Sequence, residues 1–482
     1  MPAGLCWPAA AALALLFVAL LLVLCRILWA LRWSLSRDRT SALPLPKGSM
    51  GWPFFGETLH WLLQGSRFHS SRRERYGNVF KTHLLGRPVV RVTGAENVRK
   101  ILLGEHTLVS AQWPQSTQIL LGSHTLLGST GDLHRQRRKV RPMVFCRAAL
   151  ESYLPRIQKV VSWELRGWCM QPGSIAVYSS AKTLTFRIAA RILLGLRLEE
   201  KQFKDLAKTF EQLVENLFSL PLNVPFSGLR KVLPPALCSC PGPGQAVAAQ
   251  IPSSGPTRGN SMKAFKPVTF LPCQESAIEL IFAAFFTTAS ASTSLILLLL
   301  KHPTAIEKIR QELASHELYP QHQNCPMQLS RLRYLDCVVK EVLRVLPPVS
   351  GGYRTALQTF ELDGYQIPKG WSVMYSIRDT HETAAIYHSP PGGFDPDRFS
   401  VTQSEAAGRF HYIPFGGGAR SCIGKELAQA ILKLLAIELV TTARWELATP
   451  TFPAMQTVPI VHPVDGLQLY FHPLQPRHGG GT

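Results

Sequence analysis

Acidic side chains are scarce in this sequence. Its 482 residues include 31 aspartates and glutamates against 52 lysines and arginines, which gives a formal net charge of +21. Such a balance suits an acidic partner, namely an anionic membrane face, a nucleic acid or an acidic protein. The sequence has neither zinc-finger spacing nor an aromatic-basic RNA-binding motif, so nucleic acid is the weakest of these three and is not expected.

A compact cysteine framework is also missing. The ten cysteines are scattered, and the only close pair, Cys238 and Cys240, has a Cys-x-Cys spacing that zinc fingers do not use. A disulfide framework is not expected in a chain of this length. Reduced thiols, and therefore a domain that faces the cytosol, fit this usage. The hydrophobic content of 46% is enough for a large core.

Charge is absent from residues 9–25, which consist almost wholly of Ala, Leu, Val and Phe. Arginines and tryptophans follow this run: Arg26, Trp29, Arg32, Trp33, Arg37 and Arg39. The pattern predicts a transmembrane anchor at residues 1–33, with the rest of the chain in the cytosol. A cleavable signal peptide is the alternative, but no basic residue precedes the apolar run. Residues 34–53 are rich in proline and predict a hinge before a globular domain at 54–475.

One glycine-rich stretch near the C-terminus combines several informative features: Phe415-Gly416-Gly417-Gly418-Ala419-Arg420-Ser421-Cys422-Ile423-Gly424. Three successive glycines let the backbone pass close to a flat group. Cys422 precedes an apolar, helix-prone run, and a helix N-terminus favours a thiolate. A thiolate can be an axial ligand of haem iron, and Arg420 can pair with a haem propionate. A glycine-rich turn with a buried structural cysteine is the alternative.

The ten-residue pattern resembles the haem-binding signature of the cytochrome P-450 superfamily at every fixed position. This resemblance implies haem b with Cys422 as the axial thiolate and metal ligand, and it places Phe415, Arg420 and Gly424 at the cofactor. It also implies a mainly α fold with a small β region. Residues 54–475 would then form the triangular helical catalytic domain of a monooxygenase.

A basic stretch at residues 131–140 places His134 and Arg138 on one face of a helix, because they are four residues apart. A solvated helix face is the ordinary explanation of such a charge run. The pair also resembles the superfamily's Trp-x-x-x-Arg segment, which implies that both side chains donate to the haem propionates. Arg354 lies at a spacing where the superfamily often has another propionate-binding arginine. The remaining cations can dock an electron donor.

Residues 275–300 form the longest helical candidate after the anchor. Serines and threonines make a second transmembrane span a poor interpretation, and a helix that is apolar nearly all round is expected in the centre of a large protein. Residues 283–288 occupy the place of the superfamily's oxygen-activation motif, which implies that Thr287 is the catalytic threonine. Phe286 stands where an acid is usual, so the ordinary proton relay lacks its acid. Thr287 and Thr288 can also simply bond to carbonyls one turn earlier.

Glu341 and Arg344 are three residues apart on a short predicted helix and can pair. Most pairs of this spacing lie on protein surfaces. Together with Arg398, in Phe394-Asp395-Pro396-Asp397-Arg398-Phe399, they resemble the superfamily's buried Glu/Arg/Arg cluster. That resemblance implies a structural role, in which the cluster holds the cysteine loop in place.

Residues 233–272 carry no sustained apolar period and predict a loop or disorder. The superfamily has two or more helices here, which form part of the roof over the substrate channel. A loop of this length is improbable inside a compact domain. We interpret the stretch as an alternative or misassembled coding segment.

Further motifs narrow the resemblance to the retinoic-acid hydroxylase family, family 26 of the superfamily. They are Trp52-Pro53-Phe54-Phe55-Gly56-Glu57-Thr58, Arg75-Tyr76-Gly77, Gly86-Arg87-Pro88, Ile101-Leu102-Leu103-Gly104-Glu105-His106 and Tyr412-Ile413-Pro414-Phe415, with Phe285-Phe286-Thr287-Thr288 most like the C-type member. The resemblance implies hydroxylation of all-trans-retinoic acid, chiefly at the 4-position. It also implies electrons from NADPH–cytochrome P-450 reductase and a location in the endoplasmic reticulum membrane.

An apolar pocket with few polar groups suits an amphipathic acid of this kind. Family position makes five residues candidates to line it: Trp113, Phe282, Phe286, Val349 and Tyr353. Arg91 can meet the carboxylate, although a surface arginine is the commoner explanation.

Three other interpretations stay open at this point. Another lipid or sterol hydroxylase fits the same general motifs. A hydroperoxide-rearranging haem-thiolate enzyme that needs no reductase fits the absence of an acid at Phe286. A catalytically inactive isoform fits the patternless stretch at residues 233–272.

Overall fold

Helices make up most of the described chain, as predicted, and short strands form small sheets. The computed structural model describes residues 6–65, 67–113, 117–118, 121, 125–140, 145–215, 270–318, 329–384, 392–400, 410–457 and 460–474. The helices are α1 (Cys6–Leu35), α2 (Thr58–Gln64), α3 (Arg67–Tyr76), α4 (Ala95–Leu103), α5 (Gly131–Val140), α6 (Arg147–Cys169), α7 (Val177–Ile188), α8 (Glu200–Glu215), α9 (Phe270–Lys301), α10 (Pro303–Ser315), α11 (Arg333–Val345), α12 (Ile377–Thr383) and α13 (Lys425–Thr442). The strands are β1 (Val79–Leu84), β2 (Arg87–Val92), β3 (Val109–Ala111), β4 (Ile175–Ala176), β5 (Gly351–Ala356), β6 (Phe360–Leu362), β7 (Tyr365–Ile367), β8 (Ser372–Ser376), β9 (Ala443–Leu447), β10 (Met455–Gln456), β11 (His462–Pro463) and β12 (Gln468–Pro473).

The chain divides into two compact units. The first comprises Met1–Gln112 and Gly351–Asp379, and the second comprises Trp113–Ser350 and Thr380–Thr482. The first unit is built on a five-stranded sheet of order β1-β2-β8-β5-β3, in which β2 and β8 are parallel and the other neighbours antiparallel.

Two hairpins in the first unit were predictable from their turns. β1 and β2 pair with Leu84 opposite Arg87, across a turn that contains Gly86. β6 and β7 form the second, and its turn residues Asp363 and Gly364 have φ angles of +54° and +77°. Positive φ at both central residues is the geometry of the two-residue turns that favour an Asp-Gly pair.

The last turns of α1 pack on the first unit. The indole N–H of Trp29 donates to the carbonyl of Met50 at 3.2 Å. Trp33 is only 8% exposed, and its ring meets that of Trp371 edge-on at 5.9 Å. The most apolar part of the helix is wholly exposed. By its length and composition, the helix is long and apolar enough to cross a membrane.

The predicted hinge, residues 34–53, runs along the first unit and is tied to it. The N–H of Gln366 donates to the carbonyl of Pro44 at 2.9 Å, and the N–H of Lys81 donates to that of Lys47 at 2.8 Å. Because proline has no N–H, a segment of this composition takes part in such pairings mainly as an acceptor.

α9 lies at the centre of the second unit. It begins five residues before the predicted start, and 78% of its most apolar window is buried, which favours the predicted core helix over a second transmembrane span. Its leucines, such as Leu295 and Leu299, share one core with Leu434 and Leu435 of α13. Small sheets of order β4-β12-β9 and β10-β11 complete the described part of this unit. The patternless stretch at 233–272 lies outside the described residues, apart from its last three, which begin α9.

Candidate active site

The cysteine loop is fixed by its own main chain. The N–H of Gly416 donates to the carbonyl of Ile413 at 2.9 Å, and the N–H of Cys422 donates to that of Phe415 at 3.0 Å. Gly416 and Gly418 have φ angles of +67° and +64°, in the left-handed region that glycine adopts without strain. The loop closes on itself and leads into α13, whose N-cap is Gly424.

Cys422 is exposed to solvent, although enough protein lies around its sulfur to affect the ionisation of the thiol. Burial raises the pKa of this thiol, while the N–H of Gly424 and the positive charges of Arg138 and Lys425 act in the opposite direction. A metal cation bound to the sulfur would keep Cys422 in its thiolate form, because a coordinating thiol is deprotonated outright. Among the described residues, no group of three or more His, Cys, Asp or Glu side chains can hold a metal ion. A metal at Cys422 would therefore need most of its ligands from a bound group such as a porphyrin.

Basic side chains converge on the loop from α5. Arg138 donates through Nη2 to the carbonyl of Ser421 at 2.6 Å and to its hydroxyl at 3.2 Å. Burial lowers the pKa of Arg138, Cys422 raises it and Arg420 lowers it, so these three groups interact electrostatically. His134, one turn earlier on α5, is 2% exposed. The structure thus brings together His134, Arg138, Arg420 and Cys422, four of the residues selected from the sequence.

Arg354, the further candidate for a propionate, lies in the first unit. Its Nε is 2.8 Å from a carboxylate oxygen of Glu105, and its Nη1 donates to the carbonyl of Tyr353 at 2.9 Å. Its assignment to the cofactor stays a prediction.

A turn at residues 125–129 supports the basic side of the site, and no sequence motif predicted this turn. Arg420 donates to the carbonyl of Ser129 at 2.5 Å. On the other side of the turn, the buried carboxylate of Glu279 on α9 accepts the N–H groups of Leu126 at 3.0 Å and Leu127 at 2.7 Å. Glu279 is the last acidic residue of α9, and this isolation within an apolar helix was the one available signal of a special role.

The Glu/Arg/Arg pairing expected from the sequence is present and buried. Arg344 lies 2.7 Å from the Glu341 carboxylate and Arg398 lies 3.4 Å from it, with all three side chains no more than 1% exposed. The same carboxylate accepts the N–H of Asp395 at 2.9 Å, and Arg344 donates to the carbonyl of Gly393 at 2.8 Å. The cluster therefore joins α11 to the segment at 393–398.

His381 was not selected from the sequence, yet it is fully buried next to this cluster. Its Nδ1 lies 3.2 Å from the carbonyl of Arg344, and its Nε2 accepts the N–H of Ile413 at 2.9 Å. Burial lowers the pKa of His381 to about 3, so the ring is neutral at physiological pH. A single buried histidine has no sequence pattern, because both of its partners are backbone groups from distant segments.

The oxygen-activation motif lies on α9. The hydroxyl of Thr287 donates to the carbonyl of Ala283 at 2.7 Å, which is the one-turn bond foreseen as the alternative to a catalytic role. The buried hydroxyl of Thr185 on α7 donates to the carbonyl of Phe285 at 3.0 Å and so fixes the register of the two helices. Phe285 and Phe286 have ring centres 4.3 Å apart within an apolar cluster. The position of the missing acid is therefore filled by packed aromatic carbon.

The candidate substrate residues fall in both units. In the second, Phe282 is partly buried against the cluster that contains Phe286, while Trp113 is partly buried and Val349 is exposed. In the first, Tyr353 lies on β5 and Arg91 on β2.

Arg91 is not a surface residue, so the commoner explanation for it is wrong. It is 4% exposed, and its Nη2 lies 2.9 Å from the carboxylate of Asp379. Its Nε has no hydrogen-bond partner among the residues that the structure describes. The half-buried His69 lies nearby, and its partial burial together with the charge of Arg91 lowers its pKa to about 2. The guanidinium is thus held inside the first unit by its pairing with Asp379.

Comparisons with known proteins agree over most of the chain. Residues 46–239 and 262–470 match the model of the family described as Cytochrome P450, and the gap lies within the patternless stretch. The chain is 65% identical to cytochrome P450 26C1 of Homo sapiens, over 98% of this chain and 97% of that protein. It is 54% identical to cytochrome P450 26B1 of Rattus norvegicus, over 95% of this chain and 92% of that protein. A solved structure described as retinoic acid bound cyanobacterial CYP120A1 is 33% identical, with a TM-score of 0.77, and covers 90% of this chain and 100% of its own.

Proposed function

Because the chain belongs to the cytochrome P450 family, it is a haem-thiolate monooxygenase, and we propose that it hydroxylates all-trans-retinoic acid, chiefly at the 4-position. The observation that carries the substrate is the likeness, over 90% of this chain, to a cytochrome P450 that holds retinoic acid. The 4-position follows from the resemblance to the retinoic-acid hydroxylase family.

The residues around Cys422 fit a haem. The sulfur is accessible while its main chain is held, and the guanidinium groups of Arg138 and Arg420 lie at the same loop, where they would meet the propionates together with His134. We assign Arg354 to the same role by its sequence spacing. When bound, the haem would supply dioxygen activation: with two electrons from the redox partner and two protons, one oxygen atom would be inserted into a carbon–hydrogen bond and the other would leave as water.

We assign to Thr287 the transfer of protons to the site of oxygen activation. Its hydroxyl already donates to the carbonyl of Ala283, and it can accept from a water while it does so. No carboxyl follows Glu279 on α9, and the carboxylate of Glu279 is engaged by two amides. Protons are therefore expected to travel through the Thr287 hydroxyl and water, without an acid at residue 286.

For the substrate, we propose that Phe282 and Phe286, with Trp113, Val349 and Tyr353, contact the hydrocarbon part. A retinoid of this kind needs apolar surface along most of its length and one cation for its carboxylate. Arg91 supplies that cation, because its buried guanidinium pairs with Asp379 and its Nε donor is unused within the described part of the chain. A charge-assisted bond in a buried site is stronger than one at the surface.

Enzymes of this family need a redox partner, and we propose NADPH–cytochrome P-450 reductase, an acidic flavoprotein. The support is the net charge of +21 and the exposed cations near the loop, such as Arg135 on α5 and Lys425 at the start of α13. Opposite charge accelerates such encounters and makes them sensitive to salt.

α1 is an apolar helix suited to membrane anchoring, and we propose the endoplasmic reticulum membrane, with the catalytic domain facing the cytosol. The support is the arginines that follow the apolar run. Large apolar side chains beyond α1 are also exposed in the first unit: Trp52, Phe54, Phe55, Leu59, Leu62 and Leu63. We expect them to lie against the lipid interface, since α2 buries none of its residues.

The test uses the full chain expressed in membranes. Haem content and the carbon monoxide difference spectrum are measured first, and then conversion of retinoic acid with reductase and NADPH. We expect a thiolate-type band that Cys422→Ala abolishes, and a hydroxylated product. Haem-loaded protein that consumes NADPH without product would refute the substrate. Turnover of a lipid hydroperoxide without NADPH would favour a rearranging enzyme, and absence of haem would identify an inactive form.

A further inference from the structure

The Glu341 cluster and the cysteine loop are linked through one side chain. The cluster holds the segment at 393–398, which ends well before the loop. His381 lies between the carbonyl of Arg344, a member of the cluster, and the N–H of Ile413, where the loop begins. It therefore provides a direct hydrogen-bonded path from the cluster to the loop.

The hydrogen bonds fix the protonation of the ring. A backbone N–H can only donate, so Nε2 of His381 must offer its lone pair to Ile413. In a neutral imidazole the proton then resides on Nδ1, which donates to the carbonyl of Arg344. The ring also stacks on Tyr412 at 5.4 Å, and no part of it is exposed. Its position is therefore determined on both edges and one face.

The path continues to the cysteine. The carbonyl of Ile413 accepts the N–H of Gly416, and the carbonyl of Phe415 accepts the N–H of Cys422. A shift of Ile413 would therefore be passed to Cys422 through two short bonds in a tight loop. Supporting hydrogen bonds of this kind orient metal ligands and tune them.

We propose that His381 is the positioning residue of the cysteine loop, which sets where Cys422 presents its thiolate to the haem. Its role is to hold a backbone position through two hydrogen bonds of opposite polarity, and it touches no reacting atom. The proposal rests on Cys422 as the haem ligand but not on retinoic acid as the substrate, so its test contains no substrate.

Three variants of the full chain separate the hydrogen bonds from general packing. His381→Phe keeps a ring on Tyr412 but removes both bonds. His381→Gln keeps one donor and one acceptor on a single planar group. Tyr412→Phe is the matched control, because it removes the bond from Tyr412 to the carbonyl of Lys340 and leaves the stacked ring in place.

The readouts are the carbon monoxide difference spectrum, the reduction potential of the haem and the rate at which the thiolate-type band is lost in mild denaturant. We expect His381→Phe to lose the band about tenfold faster or more, since two buried groups lose their partners, and to shift the potential. His381→Gln and Tyr412→Phe should stay near the unmodified protein in all three.

Two outcomes would overturn the proposal. One is a His381→Phe protein with an unchanged spectrum and potential and only a lower melting temperature, which is a purely structural effect. The other is a His381→Gln protein as impaired as His381→Phe. Should His381→Phe fail to bind haem, His381→Asn replaces it, because its shorter amide cannot reach both partners at once. Equal behaviour of the Asn and Gln variants would then count against the proposal.

Discussion

Arg138 and Ser421 are joined by one of the shortest contacts at the cysteine loop. The guanidinium of Arg138 lies on α5, and its Nη2 reaches the carbonyl of Ser421, the residue before the cysteine, at 2.6 Å. A cation is thus held beside the thiol whether or not a propionate is present. This arrangement means that Arg138 supports the loop in addition to any contact with the cofactor.

Replacing Arg138 by glutamine should therefore weaken haem retention. A hydrogen bond from a charged group contributes about 1.5–3 kcal/mol, so the haem should leave about tenfold faster or more, as measured by transfer to apomyoglobin. Arg135→Gln is the control on the same helix, because the side chain of Arg135 is 57% exposed and pairs with Asp132, three residues away on the same helix. Equal loss rates for the two variants would contradict a special role for Arg138.

Glu341→Gln should destabilise the protein strongly. It leaves the buried cations Arg344 and Arg398 without their shared carboxylate, and breaking a buried ion pair costs about 3–5 kcal/mol. The matched control is Asp397→Asn, since Asp397 pairs with Lys308 at the surface, where the loss is about 1 kcal/mol or less. Denaturant unfolding and haem content of both variants measure the difference. Similar losses would show that the buried cluster has no special weight.

Thr287→Ala should uncouple electron use from hydroxylation. The ratio of NADPH consumed to product formed should rise several-fold, since general acid–base groups contribute about 10²–10⁴-fold and water can replace part of that effect. Thr287→Ser keeps the hydroxyl and should stay coupled. Thr293→Ala is the control for helix structure, because its hydroxyl makes the same one-turn bond farther along α9. An unchanged ratio in Thr287→Ala would remove this residue from the proton path.

Arg91 can be tested together with its carboxylate partner. Arg91→Gln combined with Asp379→Asn removes both members of the close ion pair at once, and the longer contact of Arg73 with Asp379, at 4.0 Å, is lost with them. We expect KM for retinoic acid to rise on the order of tenfold, while KM for the corresponding alcohol, which has no carboxylate, stays the same. Asp379→Asn alone keeps the cation and should not raise KM for the acid. A parallel rise for acid and alcohol would point to general damage to the first unit.

Acid should destabilise the fold through His381. Burial lowers the pKa of His381 from 6.5 to about 3. The unfolded chain therefore binds a proton at a higher pH than the folded chain does. The contribution of this residue is complete above pH 6.5 and falls by about 1.4 kcal/mol per pH unit down to the folded pKa. Denaturant midpoints at pH 7 and pH 5 should differ less in His381→Gln than in the unmodified protein, because glutamine does not titrate; an identical pH dependence of the two proteins would contradict this.

Part of the site was predictable because its signals are local. The cysteine loop concentrates its glycines, arginine and cysteine in ten residues, and the hairpin at residues 360–367 depends on Asp363 and Gly364 alone. α9 was predictable as a core helix from its length and its serines and threonines. Each of these features depends on neighbours in the sequence.

The remaining features depend on partners that are distant in the sequence. His381 binds the backbones of Arg344 and Ile413, and backbone partners leave no trace in residue identity. Arg91 was selected as a candidate for the carboxylate, with a surface position as the commoner explanation because most arginines lie there, and its burial is explained by Asp379 beside it. A single sequence is therefore least informative about sites whose residues come from segments that are distant in the sequence.

The packing of α1 on the first unit has a consequence for motion. Trp29 and Trp33 fix the last turns of the helix to the same body as the five-stranded sheet. When α1 is inserted in a bilayer, the first unit cannot rotate independently of α1. The tilt of the first unit relative to the membrane is then determined by the helix. Rotational anisotropy of a probe on the first unit should therefore decay at the slow rate of the membrane-bound helix, and Trp33→Ala should release a faster component.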